Sequence, residues 1–504
     1  MAADSRSDAG APLGQLALYE ALGMSGAAPF VQSYLVSGAR RTRESETRQE
    51  ERYPVEYRTD GSLLGHLRFA LSHEPLDLRI IAAALPAIGE EALEAWVRRE
   101  PTGAYSRRAW FLYETLTGRT LDVPSVRAGN YVDALNSKLH FVAQPVNSTR
   151  HRVRNNLLGT KDLCPTVRRT AKLIAMIAAR WDERARQLTT RYDPETLARA
   201  VTFLYTKETR SSFAIEGETP SANREERFLQ ALQSAPAFDP SSKAQLIRLQ
   251  GTIVDPRYAE KDFRDFQNFV GETTRRYGEY AHFICPRPED VPSLMAGWTA
   301  LTERLLADPI DPVIAAALSA FAFVFIHPFG DGNGRLHRFL IHFLLSRRGF
   351  TSSGMIFPVS ASILRDRRRY DAALEAFSKP AMTAVEWLLT QDQEIQVTND
   401  TRDLYRFWDA TLQAEYLYDR VCDTIEVDLT DELDWLTVYE AAFRGVRDVV
   451  DMPDRRASFL IRVCLQNGGH LSKNKRGQFR ELTDDEIGRI EDAVCRAMQG
   501  SSEG

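Results

Sequence analysis

The residues with the clearest chemical potential lie within one short segment, residues 327–338. Within the loop at residues 327–333, His327 is the side chain suited to removing a proton near neutral pH. Asp331 supplies the hard oxygen ligands that Mg²⁺ prefers beside phosphate groups. A general base and a magnesium ligand this close together favour a site for phosphoryl or nucleotidyl transfer.

The same segment also has the composition of an anion-binding loop. Gly330, Gly332 and Gly334 permit positive φ angles and a close approach of the backbone to a ligand. Free N–H groups at the start of a helix attract phosphate by hydrogen bonds and through the helix dipole. Arg335 and Arg338 lie in the first turns of the helix predicted after the loop and can add charge-assisted hydrogen bonds. A glycine-rich turn with a core histidine is the simpler alternative, but it does not account for all of these residues together.

Two helices are predicted to position this loop. The first has Asp311 as N-cap and Pro312 at its first position, and it ends before Pro328 because the residue preceding a proline disfavours the helical region. It is apolar on nearly all sides, as expected of a central core helix. The second helix begins near Asn333 or Gly334, ends before Gly349, and has one apolar stripe with helical spacing. The members of this stripe are Leu336, Phe339, Leu340, Phe343 and Leu344.

Residues 327–338 read HPFGDGNGRLHR and resemble the signature of Fic domains, HPFx(D/E)GNGRxxR, at every defined position. The resemblance implies a mainly α-helical fold, in which a Fic-type helical core carries a β-hairpin flap and is flanked by helical N- and C-terminal regions. The acidic and Asn positions match the branch that transfers AMP from ATP to a hydroxyl side chain of a protein. We therefore expect a protein adenylyltransferase, a nucleotidyltransferase that uses ATP as substrate.

The resemblance also implies a role for each position of the loop. His327 is expected to deprotonate the incoming hydroxyl, and Asp331 to hold Mg²⁺ or Mn²⁺ at the α- and β-phosphates of ATP. Phe329 is expected to anchor the loop in the core. The expected nucleotide-binding residues are Gly332, Asn333 and Gly334, which form the anion hole, and Arg335 and Arg338, which bind the outer phosphates.

A second region resembles the flap of Fic domains. Residues 263–288 interrupt the helical pattern with aromatic and β-branched residues divided by Gly271 and Gly278, which predicts a β-hairpin. The family likeness implies that a target protein binds along this flap by strand addition.

A third region is similar to the inhibitory motif of the family, (S/T)xxxE(G/N). It comprises Ser212, Glu216 and Gly217, in a helix predicted at about residues 205–217. The resemblance implies that Glu216 pairs with Arg338 and thereby restrains transfer, as in the class whose inhibitory helix lies on the N-terminal side. Without the resemblance, Glu216 is an ordinary exposed carboxylate near the end of a helix.

The length of 504 residues predicts about three domains. We expect a mobile tail and linker over residues 1–45, a mixed or helical module without a named role over 46–190, and the Fic domain over 191–395. Residues 396–504 are expected to be a C-terminal helical extension, similar to that of long bacterial Fic proteins. Within it, residues 471–479 predict a small hairpin, and Thr483 predicts the N-cap of a final helix.

Charge and composition exclude several classes of protein. Lys and Arg number 64 against 69 Asp and Glu, which argues against nucleic acid as the main partner because such proteins usually carry a basic excess. The longest apolar run, residues 313–326, is too short to span a bilayer comfortably. The N-terminus lacks a secretory signal pattern, and five scattered cysteines without a CxxC pair favour a reducing compartment. We therefore expect a cytoplasmic protein without membrane contact.

Two other functions remain open at this point. With the same fold, the protein could remove AMP, with Glu216 positioning a water, or transfer another nucleotide or a phosphate. Alternatively, it could be a non-catalytic nucleotide-sensing module, although His327 and Asp331 argue against this because a sensor needs no base. Self-modification and homo-oligomer formation are further expectations.

Overall fold

The structure is a computed structural model that describes residues 10–45, 48–190, 192, 194–273, 279–352, 354–392 and 394–500. It confirms the predicted mainly α-helical fold, since the helices are numerous and the strands short. The helices are α1 (Gly14–Ala21), α2 (Leu63–His73), α3 (Leu78–Ile88), α4 (Glu90–Arg99), α5 (Ala104–Thr117), α6 (Ala171–Ala178), α7 (Trp181–Thr189), α8 (Pro194–Ile215), α9 (Ala222–Ser234), α10 (Lys243–Ile253), α11 (Val291–Ala307), α12 (Pro312–Ile326), α13 (Asn333–Arg347), α14 (Val359–Arg365), α15 (Arg367–Met382), α16 (Arg402–Arg406), α17 (Thr411–Asp423), α18 (Thr430–Val449), α19 (Asp454–Leu465), α20 (Lys473–Arg476) and α21 (Asp484–Gly500). The strands are β1 (Ala11–Leu13), β2 (Val31–Leu35), β3 (Arg41–Glu44), β4 (Gln49–Tyr53), β5 (Val132–Asp133), β6 (His140–Phe141), β7 (Val146–Ser148), β8 (Val153–Asn155), β9 (Val167–Arg168), β10 (Phe269–Thr273), β11 (Glu279–Ile284), β12 (Trp387–Leu389) and β13 (Ile395–Val397).

The chain divides into two compact units, each assembled from separate stretches of sequence. The first comprises Met1–Ala179, Ser221–Phe350 and Asp366–Asp419, and the second comprises Arg180–Pro220, Thr351–Arg365 and Arg420–Gly504. This division differs from the three consecutive domains predicted from the sequence, because segments far apart along the chain pack together within each unit. No helix in the described part of the chain is long and apolar enough to cross a membrane.

The N-terminal region is folded, so the predicted mobile tail and linker is wrong for the residues described there. One sheet has the strand order β1-β2-β4-β3, in which β2 and β4 are parallel and the other two pairs are antiparallel. Leu13 and Tyr53 are buried in a small cluster with Phe69. The polar strands β3 and β4 carry no apolar alternation, so pairing with partner strands, rather than propensity, decides their conformation. Residues 1–9 and 46–47 lie outside the described residues.

The central helix of the first unit is α12, as its all-round apolar sequence predicts. Residues 313–326 are all buried, and α11 and α13 pack against them. The one polar residue of this run, Ser319, is hydrogen-bonded within the core. Its carbonyl oxygen accepts from Trp298 Nε1 at 2.9 Å, and its hydroxyl lies 2.8 Å from Thr302 Oγ1. The loop between α12 and α13 therefore follows a helix that is packed in the core and whose one polar side chain is hydrogen-bonded.

The predicted β-hairpin is confirmed by β10 and β11. The two strands are antiparallel, with Phe269 opposite Ile284 and an irregularity in register between Val270 and Gly271. Ile284 is buried against Val385 and Ile395 of the β12–β13 region. The base of the hairpin is therefore fixed to the first unit, while the predicted turn at 274–278 lies outside the described residues.

The second unit contains α7, α8, α14 and α18–α21. Within it, α8 packs against α14 and α18, and Glu208 of α8 accepts hydrogen bonds from both the backbone N–H and the hydroxyl of Ser360. A separate apolar cluster joins α18, α19 and α21 around the buried Phe479.

The C-terminal predictions had different outcomes. The small hairpin predicted at 471–479 is wrong, because residues 473–476 form the short helix α20, with hydrogen bonds from Lys475 and Arg476 to the Ser472 carbonyl. The following helix is confirmed as α21. Thr483 Oγ1 accepts the Glu486 N–H at 3.2 Å, and the Glu486 carboxylate accepts the Thr483 N–H at 2.7 Å, which is a capping box.

Candidate active site

The candidate loop begins where α12 ends. Asp311 Oδ1 caps the start of α12 by accepting the N–H groups of Val313 at 2.9 Å and Ile314 at 3.1 Å, as predicted. At the other end, His327 is the C-cap and has a left-handed backbone, with φ 54° and ψ 59°. A positive φ is uncommon for a residue other than glycine and is often found where function requires an unusual geometry.

The imidazole of His327 is held at one ring nitrogen. Nδ1 lies 3.1 Å from the carbonyl oxygen of Val324, and because a carbonyl can only accept, this contact assigns the hydrogen to Nδ1. The basic lone pair is then on Nε2, which is the arrangement that a general base requires. The residue is partly exposed.

Arg264 holds the backbone on both sides of His327, a role that the sequence reasoning missed. It is 3% exposed, and its Nε donates to the carbonyl oxygen of His327 at 2.8 Å. Its Nη2 donates to Pro286 O at 2.6 Å, and its backbone N–H donates to Pro328 O at 2.9 Å. Arg264 therefore joins the candidate loop to the segments on either side of the hairpin.

Phe329 and Asn333 brace the interior of the loop. Phe329 is buried, and its ring packs edge-on against that of Phe263, with 5.6 Å between centroids. The Asn333 amide spans the turn, since its Oδ1 accepts the Phe329 N–H at 3.2 Å and its Nδ2 donates to the Phe329 carbonyl at 2.7 Å. The side chain of Asn333 thus shapes the loop, which leaves its backbone N–H as the group that can meet an anion.

Gly332 is required by the local geometry. It is the N-cap of α13 with a φ of 88°, and a β-carbon at this position would lie 2.8 Å from Val254 Cγ1. A larger residue would therefore be both strained and too close to its neighbour. The N–H of Gly332 donates to Asp331 Oδ1 at 2.6 Å, which fixes the carboxylate at the start of α13.

The two arginines expected to bind phosphate are buried. The side chain of Arg335 is 2% exposed, and its Nη2 donates to Asp331 Oδ1 at 3.0 Å. Arg338 is fully buried. Asp331 itself is half exposed, at 51%. The structure thus brings Asp331 and Arg335 together as an ion pair within the first turn of α13, whereas the sequence predicts separate contacts to metal and phosphate.

Two residues outside the signature complete the loop, and neither was predicted from the sequence. Gln250 of α10 is fully buried. Its Nε2 donates to the carbonyl oxygens of Tyr258 at 3.1 Å and Asp331 at 3.3 Å, and its Oε1 accepts the Glu260 N–H at 3.0 Å. Glu260 Oε1 in turn accepts the Gly330 N–H at 2.6 Å. Burial, together with the charge of Asp331, raises the pKa of the Glu260 carboxyl above its ordinary value, although the N–H of Gly330 opposes this shift.

A cavity of about 540 Å³ borders this side of the loop. Residues 257–266 form one wall, and Gly330 and Asp331 form the other. Its lining carries charged groups of both signs and the exposed ring of Phe266. A peptide segment or part of a nucleotide could be accommodated beside Asp331.

The residues of the predicted inhibitory motif belong to the second unit. The helix extends over Pro194–Ile215, so it begins earlier than predicted and ends one residue before Glu216. Ser212 is buried, whereas Glu216 is exposed at the turn that follows the helix. Gly217 has a φ of 73°, as expected for the residue that ends a helix in a left-handed conformation.

Comparison with known proteins shows that the candidate loop lies in a segment that matches a known family. The model of the Fic/DOC family matches residues 240–345, which include the hairpin, α12 and the whole candidate loop. Protein adenylyltransferase Fic of Nematostella vectensis is 28% identical over 175 residues, covering 31% of this chain and 40% of that protein. Protein adenylyltransferase Fic of Culex quinquefasciatus is 39% identical over 83 residues, covering 16% of each chain.

A solved structure of a Fic family protein from Desulfovibrio desulfuricans matches with a TM-score of 0.35 and 19% identity, covering 66% of this chain and 90% of that one. The matches to the two curated relatives span less than half of the length of either relative. The likeness therefore concerns the domain that carries the loop. Residues 240–345 of this chain therefore match the Fic/DOC family, and this segment contains the candidate loop.

Proposed function

We propose that this protein transfers AMP from ATP to a hydroxyl side chain of a target protein. The observation that carries the proposal is the geometry of His327. The Val324 carbonyl accepts a hydrogen bond from Nδ1, which leaves the basic lone pair on Nε2. The loop that begins at His327 leads directly into the N-terminus of α13. The curated relatives named above are protein adenylyltransferases, which supports the same reaction.

In the proposed reaction, Nε2 of His327 takes the proton of the incoming hydroxyl. The hydroxyl oxygen forms a bond to the α-phosphorus of ATP, the bond to the bridging oxygen breaks, and pyrophosphate leaves. Little covalent work is required of the protein, since positioning and charge stabilisation supply most of the rate. In this proposal the N–H groups of Gly332, Asn333 and Gly334 form the anion hole at the start of α13, where the helix dipole also favours negative charge. The Gly332 N–H, which donates to Asp331 Oδ1 in the structure, would exchange this partner for phosphate.

Asp331 is the residue that fits a magnesium ligand. Its carboxylate is half exposed at the edge of the loop, and Mg²⁺ characteristically combines one or two carboxylates with substrate phosphates. When bound, Mg²⁺ would neutralise charge on the phosphates of ATP. Asp331 also pairs with Arg335, so we propose that binding of the substrate redistributes this pair and turns Arg335 towards phosphate.

The target is proposed to bind along the flap. β10 and β11 form a two-stranded sheet among the described residues, and an extended target segment could add to it through backbone hydrogen bonds. This mode gives affinity with modest sequence selectivity, because the backbone supplies most of the contacts.

Restraint by Glu216 is proposed as part of the same function. It is supported by the pattern of Ser212, Glu216 and Gly217, by the burial of Ser212, and by the left-handed turn at Gly217 that follows α8. In this proposal, the carboxylate of Glu216 pairs with Arg338 and so withholds the guanidinium from the γ-phosphate.

The test uses ATP radiolabelled at the α- or the γ-phosphate, with Mg²⁺, in the presence and absence of cell lysate. The proteins are the parent, Glu216→Gly and the double variant Glu216→Gly/His327→Ala. Label that enters protein from the α position only, and disappears in the double variant, supports AMP transfer. Label without lysate identifies self-modification. Label from the γ position means phosphate transfer and overturns the proposal, as does the absence of label from both positions.

A further inference from the structure

We propose that Cys495, in the second unit, is a site of reversible thiol modification, activated by His470 and Glu491. The three side chains lie outside the nucleotide-transfer loop. Glu491 and Cys495 are four residues apart on α21, so they share one face of that helix. His470 lies in the turn between α19 and α20.

The three side chains form a chain of contacts. Cys495 Sγ is 4.0 Å from His470 Nε2, and His470 Nδ1 is 3.0 Å from Glu491 Oε2. The other carboxylate oxygen, Oε1, accepts the backbone N–H of Leu471 at 2.8 Å. The carboxylate is therefore held at both oxygens, and it holds the imidazole in turn.

The direction of the hydrogens follows from the carboxylate. An ionised carboxylate only accepts hydrogen bonds, so the hydrogen of the neutral imidazole is on Nδ1 and its lone pair is on Nε2, facing the thiol. A thiol, a base within reach and a third group that orients the base are the parts that generate a nucleophile. The loop is shaped around the sulfur, since a β-carbon added at Gly469, which has a φ of 96°, would overlap Cys495 Sγ.

Cys495 also differs from the other cysteines in exposure. It is partly exposed, and His470 is largely exposed, with 62% of its side chain accessible. Cys164, Cys285, Cys422 and Cys464 are buried. Burial raises the pKa of the Cys164 thiol to about 11, and it raises the pKa of the Cys285 and Cys464 thiols to about 12. Since the thiolate is the nucleophile, buried thiols are inert and Cys495 is the one placed to react.

The co-reactant is a small-molecule disulfide, R–S–S–R. The proton of Cys495 Sγ passes to His470 Nε2, and the thiolate attacks one sulfur of the disulfide. A bond forms between Sγ and that sulfur while the S–S bond of the reagent breaks, and the departing thiolate takes the proton from His470. Protein thiol and R–S–S–R thus yield the mixed disulfide and R–SH, and an excess of thiol reverses the exchange.

The experiment measures the reaction of the full-length native protein with 5,5′-dithiobis(2-nitrobenzoate) at pH 7. We expect one thiol to react rapidly, and Cys495→Ser to abolish this phase. His470→Gln should slow this phase severalfold, because the variant lacks the base that takes the proton of the thiol.

A matched control is Asp492→Asn, which removes a carboxylate next to Glu491 on the same helix and should leave the rate unchanged. His470 is largely exposed, so its substitution is expected to preserve the fold, and circular dichroism verifies this. A rapid phase that persists in Cys495→Ser overturns the proposal. An unchanged rate in His470→Gln does so equally.

Discussion

The carboxylate of Glu260 accepts the backbone N–H of Gly330, with 2.6 Å between Oε1 and N. Glu260 is itself positioned by Gln250, which accepts its N–H at 3.0 Å and donates to the Asp331 carbonyl at 3.3 Å. A buried amide on α10 and a carboxylate in the following segment therefore fix the backbone on both sides of the proposed magnesium ligand.

This relationship predicts that Gln250 and Glu260 are positioning residues. Gln250→Ala and Glu260→Ala should each lower kcat for AMP transfer by about tenfold to a hundredfold, because small misplacements of reacting groups are costly. Glu260→Gln keeps an acceptor for Gly330 and should retain most of the activity. The measurement is kcat and KM for ATP in a Glu216→Gly background. Equal loss in Glu260→Gln and Glu260→Ala would contradict the role of the hydrogen bond.

His327→Ala is expected to lower AMP transfer by at least about 10²-fold, which is the lower range of general-base assistance. ATP binding should persist, because the anion-binding N–H groups belong to the loop and α13. Transfer rates and ATP binding by calorimetry are compared with those of the parent. Activity within about tenfold of the parent, a difference of about 1.4 kcal/mol in barrier, would be too small for a general base.

Asp331→Ala should raise the Mg²⁺ concentration needed for half-maximal transfer and lower the maximal rate. The carboxylate is the proposed ligand, and it also pairs with the buried Arg335. Asp331→Glu, which keeps the charge, is the matched control and should be less impaired. A magnesium titration of the transfer rate measures both effects, and an identical titration for Asp331→Ala and the parent would exclude this residue as the ligand.

Glu216→Gly is expected to increase transfer, since it removes the carboxylate proposed to occupy Arg338. Glu218→Gln neutralises a carboxylate two residues further on and should leave the rate near that of the parent. The assay is incorporation of α-labelled nucleotide, with folding verified by thermal melting. Unchanged or lower transfer in folded Glu216→Gly would argue against restraint by this residue.

Acid is expected to destabilise the protein through His140. This side chain is buried, and its Nε2 accepts the Leu76 N–H at 2.9 Å, so the folded protein requires the neutral ring. Burial lowers the pKa of His140 to about 4 from 6.5. Between these pH values the unfolded chain binds more protons than the folded protein. The contribution of the neutral His140 ring to the free energy of unfolding is therefore complete above pH 6.5 and is lost as the pH falls towards 4.

The full contribution of His140 to the free energy of unfolding is on the order of 3 kcal/mol, because each pKa unit corresponds to about 1.4 kcal/mol. Denaturant unfolding at a series of pH values, for the parent and His140→Gln, tests this expectation. The difference in free energy of unfolding between the two proteins should shrink as the pH falls from 6.5 to 4. A difference that stays constant over this range would show that His140 does not titrate as expected.

The sequence by itself determined the candidate loop and the helices that carry it. Asp311 and Pro312 begin α12, Pro328 ends it, and Gly332 permits the left-handed turn into α13. These features are local, because caps, prolines and glycines act on the backbone within a few residues. The hairpin and the final helix with Thr483 could be predicted because their signals are local as well, and the Fic resemblance could be recognised because its signature is one continuous segment.

Only the tertiary structure decided the remainder. Arg264, Gln250 and Glu260 are ordinary polar residues in the sequence, and they acquire their roles through contacts with a loop more than sixty positions away. The sheet of β1 to β4, the helix at Lys473–Arg476 and the assembly of two units from separate segments likewise depend on distant partners. Such contacts leave no periodic trace in the sequence, because burial and pairing between distant segments override local propensity.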